Sequence, residues 1–347
     1  MNFNLLKKIS ETPGAPGYEE QIRNLVIQEV SPFVDKVETD NLGNVIAVKK
    51  GKDTKRVMLA AHMDEIGFIV SHIDDNGFVR FHPLGGFDPK TLTAQRVVIH
   101  GKKDLTGVMG SKPIHVMTPE ERKKEAKLSD FFIDLGLPKE EVEEWIEVGN
   151  PITRERELIK MGHCVNGKSL DNRISVYILI EVLKQLKDTR LPYDLYAVFT
   201  VQEEVGIRGA QVATQHIQPD FGFAIDTTIA YDVPGSQAHE QVTQLGKGAG
   251  IKIMDSSAIA DYRMVRFMKA TAKKYTLDWQ PELLPAGGTD TANVQRMSKQ
   301  GTIAGAVSLP TRHIHQVIES VHTDDIASAI KLLSHCLEDI ASFDWNF

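Results

Sequence analysis

Apolar positions along this chain follow two rhythms, and the rhythm changes twice. In GYEEQIRNLVIQEV, Ile22, Leu25, Val26 and Val30 recur at helical spacing, which predicts an amphipathic helix over 17–31. Glu19 and Glu20 suit the positive end of its dipole. Residues 3–9 also read as a helix. KVETDNLGNVIAVKKG reads as two strands around a turn at 41–44. The unbroken apolar run from Val57 to Ala61 then predicts a central sheet strand that ends at His62.

From about residue 70 to 162 the pattern breaks into short β-like pieces separated by glycines: FVRFHPL, RVVIHG and LTGVMG. A charged segment, PEERKKEAKLSDFF, is expected to be helical, and the acidic EEVEEWIEV follows. This section reads as an inserted β-rich domain over 70–162 that splits a larger unit made of 1–69 and 163–347. From 163 onward strands and helices alternate. SLDNRISVYILIEVLKQLKD is a loop entering a strong helix, YDLYAVFTVQEEVG a strand ending in two glutamates, PDFGFAIDTT a strand ending in aspartate. TIAGAVSLPTRHIH reads as a strand ending in histidines. TDDIASAIKLLSHCLEDIASF is a closing helix with Thr323 as its expected N-cap. The alternation predicts an α/β fold, a mostly parallel sheet flanked by helices, with the small β-rich domain inserted.

Composition removes several classes of function. Hydrophobic residues make up 41% and charged residues 25% of the 347, ordinary for a globular chain. The formal net charge of -7 argues against nucleic acid as a partner, because that binding depends on Lys and Arg neutralising phosphates. No stretch approaches the ~20 apolar residues of a membrane helix, and the N-terminus shows no signal-peptide pattern. Cys164 and Cys336 are too few for a disulfide framework. A cytoplasmic protein without a membrane partner is expected.

The candidate chemistry lies at the ends of the expected strands. His62, Glu203–Glu204, Asp226 and His313/His315 each follow an apolar run, and in open α/β sheets ligands bind at the carboxyl ends of strands. Asp171 stands in the loop entering a helix and is able to join them. Each residue alone reads as a solvated strand-end charge; four in register read as a metal site. His62 and Asp64 share a strand face, so Asp64 is placed to orient the imidazole. If Glu204 ligates a metal, Glu203 is left free as a general base. No H-E-x-x-H, C-x-x-C, G-x-S-x-G or P-loop pattern competes with this dispersed constellation.

The motifs AHMDEIGF, LDNR, VQEEVGIRGA, Asp226-Thr227-Thr228, GGTD and LPTRHIH, in that order, resemble the M42 metallo-aminopeptidases, the family of glutamyl and tetrahedral (TET) aminopeptidases, some of which carry an endoglucanase or cellulase M label. The resemblance spans essentially the whole chain. It implies two divalent metal ions per subunit, Zn2+ foremost with Co2+ as the alternative. It also implies Asp171 as the bridging carboxylate joined to Asn172 by a cis bond, His62 and Asp226 on one metal, and Glu204 and His315 on the other. Glu203 is then the general base that activates a metal-bridging water, and Asp64 the residue behind His62. Gly288, Thr289 and Asp290 of the GGTD loop are implied near the substrate. The family pattern R-Y-I-H-S reads Arg312-His313-Ile314-His315-Gln316 here, so His313 rivals His315, and His322 is read as structural. The activity implied is removal of N-terminal residues from short peptides. The implied assembly is a homo-oligomer whose dimers, formed through the inserted domain, build a tetrahedral dodecamer. A carboxypeptidase or N-acyl deacylase on the same metal frame, a metal-free glycosidase and a non-catalytic relative are weaker alternatives.

Overall fold

The structure, a computed structural model, describes residues 1–346. Two helices, α1 (Phe3–Glu11) and α2 (Glu20–Val30), precede strands β1 (Lys36–Thr39), β2 (Val45–Lys49) and β3 (Arg56–His62). The second helix starts three residues later than the pattern predicts, because Gly17 sits at φ +86° and holds the preceding backbone out of the helix. The chain then forms β4 (Gly67–Ile73), β5 (Val79–Leu84), β6 (Arg96–His100), β7 (Asp104–Gly110), β8 (Phe132–Asp134), helix α3 (Lys139–Trp145) and β9 (Pro151–Arg154). These six strands close on one another as a barrel. Its interior is a separate apolar cluster that includes Phe68, Val70, Val97, Ile99, Ile133 and Ile152.

Two short strands, β10 (Ile159–Met161) and β11 (Cys164–Gly167), lead into helix α4 (Leu170–Gln185). Next come β12 (Asp194–Thr200), α5 (Arg208–Ile217), β13 (Phe221–Ile229), β14 (Ala249–Met254), α6 (Tyr262–Lys274), β15 (Trp279–Leu283), α7 (Thr291–Arg296), β16 (Ile303–Thr311), β17 (Glu319–His322) and α8 (Thr323–Asp339). The main sheet has eight strands in the order β1-β2-β12-β3-β13-β16-β14-β15. Its centre is parallel, with β12 and β13 flanking β3 and β16 beside β13. The pairs β1–β2, β2–β12 and β14–β16 are antiparallel, so the sheet is mixed.

Side-chain alternation explains why helices cover both faces. Val45, Ala47, Val57, Leu59 and Ala61 share a cluster with residues of α1, α2, α4, α6 and α8. Their neighbours Ile46, Val48, Met58 and Ala60 pack on the opposite side with Ala213 and Ile217 of α5 and Val294 of α7.

Two local expectations are corrected. PEERKKEAKLSDFF forms no α-helix: two 3-10 turns, Glu121–Lys123 and Leu128–Asp130, precede β8. It has charge but no apolar stripe to bury, and its side chains are mostly exposed. The acidic stretch after it does form a helix, α3, which buries Val142. The cap of α8 is His322 rather than Thr323: its Nδ1 accepts the Asp324 N–H at 3.2 Å.

Candidate metal centre

The central parallel strands deliver side chains to one rim of the sheet. His62 is the last residue of β3. Asp226 lies inside β13 rather than at its end, and Glu203 and Glu204 lie in the loop beyond β12. Asp171 occupies the first turn of α4, with non-helical φ/ψ and a cis peptide bond to Asn172. His315 stands in the turn between β16 and β17 at φ +63°, not on a strand.

These segments bring together two groups of three with one member in common. His62 Nε2 lies 3.4 Å from Asp171 Oδ1 and 3.7 Å from Asp226 Oδ1. His315 Nε2 lies 3.3 Å from Asp171 Oδ2 and 3.4 Å from Glu204 Oε2. Asp171 therefore turns one oxygen to each group, and within each group the ligand-type atoms lie within 4.8 Å of one another. Metal bonds of about 2.1 Å at tetrahedral angles would space ligand atoms about 3.4 Å apart. Glu203 faces the same space, its Oε2 3.8 Å from His62 Nε2.

Both imidazoles are held by the nitrogen that faces away from the cluster. His62 Nδ1 lies 3.2 Å from the Asp64 carbonyl oxygen, and His315 Nδ1 lies 3.0 Å from that of Gly86. Each contact fits a proton on Nδ1, which leaves the Nε2 lone pair toward the carboxylates. Asp64 does more than stand behind His62. Its Oδ1 accepts the Glu203 N–H at 3.0 Å and its Oδ2 the Glu204 N–H at 3.1 Å, so it fixes the loop carrying both glutamates.

The electrostatics favour cations. Burial, with the negative charge of Asp226, Glu204 and Asp290 added, pushes the Glu203 carboxyl well above its ordinary value. Burial and the charge of Asp171 and Asp64 raise Glu204 to about 8. Burial pulls on Asp171 in the same direction, but hydrogen bonding and charge from His315 and His62 hold it below the usual carboxylate range. Burial would depress His315, yet Glu204 and Asp171 lift it to about 10. Glu204 Oε1 is buried with no hydrogen-bond partner among the described residues. Crowded, partly unsatisfied carboxylates beside imidazoles fit divalent cations.

The cluster forms one end of a cavity of about 440 Å3. Gly288 and Thr289 line it together with Ile207, Ile229, Leu284 and Ile314. Asp290 lies behind this wall, 2% exposed, where its Oδ2 accepts the Thr200 hydroxyl at 2.5 Å. His313 is exposed and belongs to neither group. His322 caps α8.

Sequence reasoning missed a buried ionic layer beneath the cluster. Lys168 Nζ donates to Glu65 Oε1 at 2.8 Å, with Arg173 beside them. Glu319 accepts the backbone N–H of Asp171, and Arg154 at the end of β9 donates to the His315 carbonyl. Glu65 directly follows the H-M-D motif, the one signal that could have drawn attention to it. Nothing in the local pattern marks Glu319 or Arg154.

The sequence matches the profile of the M42 glutamyl aminopeptidase family over residues 43–332. Among its relatives is the lysyl aminopeptidase of Pyrococcus furiosus, 36% identical over 100% of this chain and 99% of the relative. Among solved structures, an aminopeptidase from the archaeon Desulfurococcus kamchatkensis superimposes with a TM-score of 0.93 at 37% identity, covering 97% of this chain and 94% of that one. The TET1 peptidase of Pyrococcus horikoshii, described as assembling into a tetrahedron or a large octahedral shell, gives 0.87 at 34% identity, covering 96% and 98%.

Proposed function

The chain belongs to the M42 glutamyl aminopeptidase family, and from that premise we propose a two-metal aminopeptidase that removes N-terminal residues from short peptides. The observation that carries this reading is the pair of ligand groups sharing Asp171, one oxygen to each, with Glu203 beside them on the wall of the same cavity. His62, Asp171 and Asp226 would hold one divalent cation, and Asp171, Glu204 and His315 the other. The imidazole and carboxylate donors suit Zn2+ first and Co2+ as an alternative.

Two cations held there would supply Lewis acidity toward the scissile carbonyl, a lowered pKa for the attacking water and a site for the free α-amine. Glu203 takes the proton of that water and passes it to the leaving amine. Its burial makes it a stronger base than a solvated glutamate once ionised. Asp64, through the two N–H groups it accepts, keeps Glu203 turned to the cavity while Glu204 turns to His315. Gly288 and Thr289 border the substrate, and Ile207, Ile229, Leu284 and Ile314 offer an apolar wall to the first side chain.

The inserted segment 70–162, whose barrel already begins at Gly67, is proposed as the dimerisation domain of a tetrahedral dodecamer, and 1–69 with 163–347 as the catalytic unit. The shell-forming relative supports that assembly. A cytoplasmic location is in keeping with two unpaired cysteines. No helix among the described residues is long and apolar enough to cross a membrane.

The test is Glu203→Gln, assayed on aminoacyl chromogenic substrates with Zn2+ or Co2+. The variant keeps both metal equivalents by elemental analysis and loses about 10²–10⁴-fold in kcat. Turnover at the wild-type level would remove Glu203 as the base. Equal cleavage of amino-blocked and free peptides would replace the aminopeptidase reading with a deacylase or endopeptidase one.

A further inference from the structure

One carboxylate outside both ligand groups grips two of their members. Glu319, the first residue of β17, is 1% exposed. Its Oε2 accepts the backbone N–H of Asp171 at 2.9 Å, and its Oε1 accepts that of His315 at 2.8 Å. We propose that Glu319 is a positioning residue for the metal subsite formed by Asp171, Glu204 and His315, fixing the spacing of two of its three ligands through their backbones. The inference rests on the two-metal reading above.

Neither N–H has an ordinary partner to fall back on. Asp171 stands in the first turn of α4, where helix N–H groups lack intrahelical acceptors, and its φ of -78° and ψ of 106° are not helical. His315 sits in a turn at φ +63°, a left-handed conformation that a non-glycine residue holds only when its surroundings enforce it. The Glu319 carboxyl oxygens satisfy both donors, which would otherwise be left unpaired. Glu319 itself is anchored by sheet pairing: it lies opposite Gly167 in the β11–β17 ladder, four residues before Asp171. Its two oxygens therefore reference both ligands to one rigid strand.

The rest of the His315 turn is held from the barrel. Arg154 Nη1 donates to the His315 carbonyl at 2.9 Å, and Gly86 accepts from the ring. The other ligand group has no such dependence on Glu319 beyond the shared Asp171. His62 is fixed by β3 and Asp64, and Asp226 lies in the β13 ladder. Loosening Glu319 therefore falls harder on the subsite in which it grips two of three ligands than on the one in which it grips Asp171 alone.

The experiment is titration of the metal-free protein with Co2+ against a competing chelator, followed by visible absorption and by elemental analysis, for the wild type, Glu319→Gln and His315→Ala. The wild type takes up two equivalents. In Glu319→Gln the amide NH2 faces one of the two N–H groups, and one equivalent weakens about 10–100-fold while the other, which depends on Glu319 only through Asp171, weakens by less. The weakened equivalent is the one His315→Ala removes, and its absorption bands change. Uniform weakening of both equivalents, or two at wild-type affinity, overturns the proposal. If the metal-free Glu319→Gln protein shows no cooperative melt, Glu319→Asp decides. Its shorter arm reaches one N–H only, and the same equivalent weakens, by less; no selective weakening overturns the proposal. A wild type that binds only one equivalent defeats the two-metal reading itself, and this inference with it.

Discussion

At the residue scale, neighbouring histidines differ because backbone geometry separates them. His313 and His315 both adopt positive φ, yet only His315 directs its Nε2 between Asp171 and Glu204. His315→Ala is expected to lose one metal equivalent and at least about 10²-fold in kcat, whereas His313→Ala keeps its metal content and turns over near the wild-type rate. Elemental analysis with steady-state kinetics checks both; a metal loss in His313→Ala would reverse the assignment. Glu19 offers a pH test away from the ligands. Burial, then the charge of Asp64, raises its carboxyl from 4.5 to about 7, although Gly17 and Gln202 donate N–H groups to it. A carboxyl with a raised folded-state value binds its proton more tightly folded than unfolded. Its contribution is thus full below about pH 4.5 and is lost as pH rises through about 7, on the order of 3 kcal/mol in all. Both N–H groups reach the same oxygen, so Glu19→Gln is able to keep them. Its melting temperature should exceed the wild type's at pH 8 and the gap should close near pH 4.5. A gap independent of pH would sink that assignment.

At the scale of elements, the loop bearing Glu203 and Glu204 is clamped between the β1–β2 turn and α5. Asn44, fully buried, accepts the Val201 N–H at 3.0 Å and donates to the Gly209 carbonyl at 3.1 Å. A Cβ on Gly209 would come within 2.4 Å of Asn44 Oδ1 and 2.5 Å of the Val201 carbonyl, so α5 can approach only through a glycine. Gly209→Ala is expected to cost about 1–3 kcal/mol and to lower kcat, because the shift propagates to the glutamates. Chemical denaturation measures the first effect and peptide hydrolysis the second. Full stability in the variant would show that the contact relaxes freely.

At the scale of the whole molecule, metal and fold are coupled by mass action. The clustered carboxylates repel one another, and a ligand that binds only the folded state stabilises it by about 4 kcal/mol at a thousand times its Kd. Chelation is expected to abolish turnover and lower the melting temperature, and added Zn2+ or Co2+ to restore both. An unchanged melt would mean that the centre holds its metals too weakly to matter. The proposed assembly predicts a particle of twelve times the 38.6 kDa chain mass by light scattering, reduced to smaller species by substitutions on the outer face of the barrel.

How much of this was legible beforehand follows from the range of the forces involved. Periodicity located β3, α4 and the closing helix because burial on one face is written in local spacing. The order of motifs pointed to the family and to His62, Asp171, Glu203, Glu204, Asp226 and His315, all of which the fold brings to one cavity. The charged stretch at 119–132 misled, since charge without an apolar stripe carries little helical information. The amino-acid sequence by itself determined the apolar alternation, the helix on each face of the sheet and the residue types available for chemistry. Only the tertiary structure decided that Asp171 turns one oxygen to each ligand group, that Asp64 holds two consecutive amides, that His315 rather than His313 enters the cluster, and that Glu319 grips both ligand backbones. Those relations join residues up to about 150 positions apart, where no local pattern reaches and only the packed sheet sets the distance.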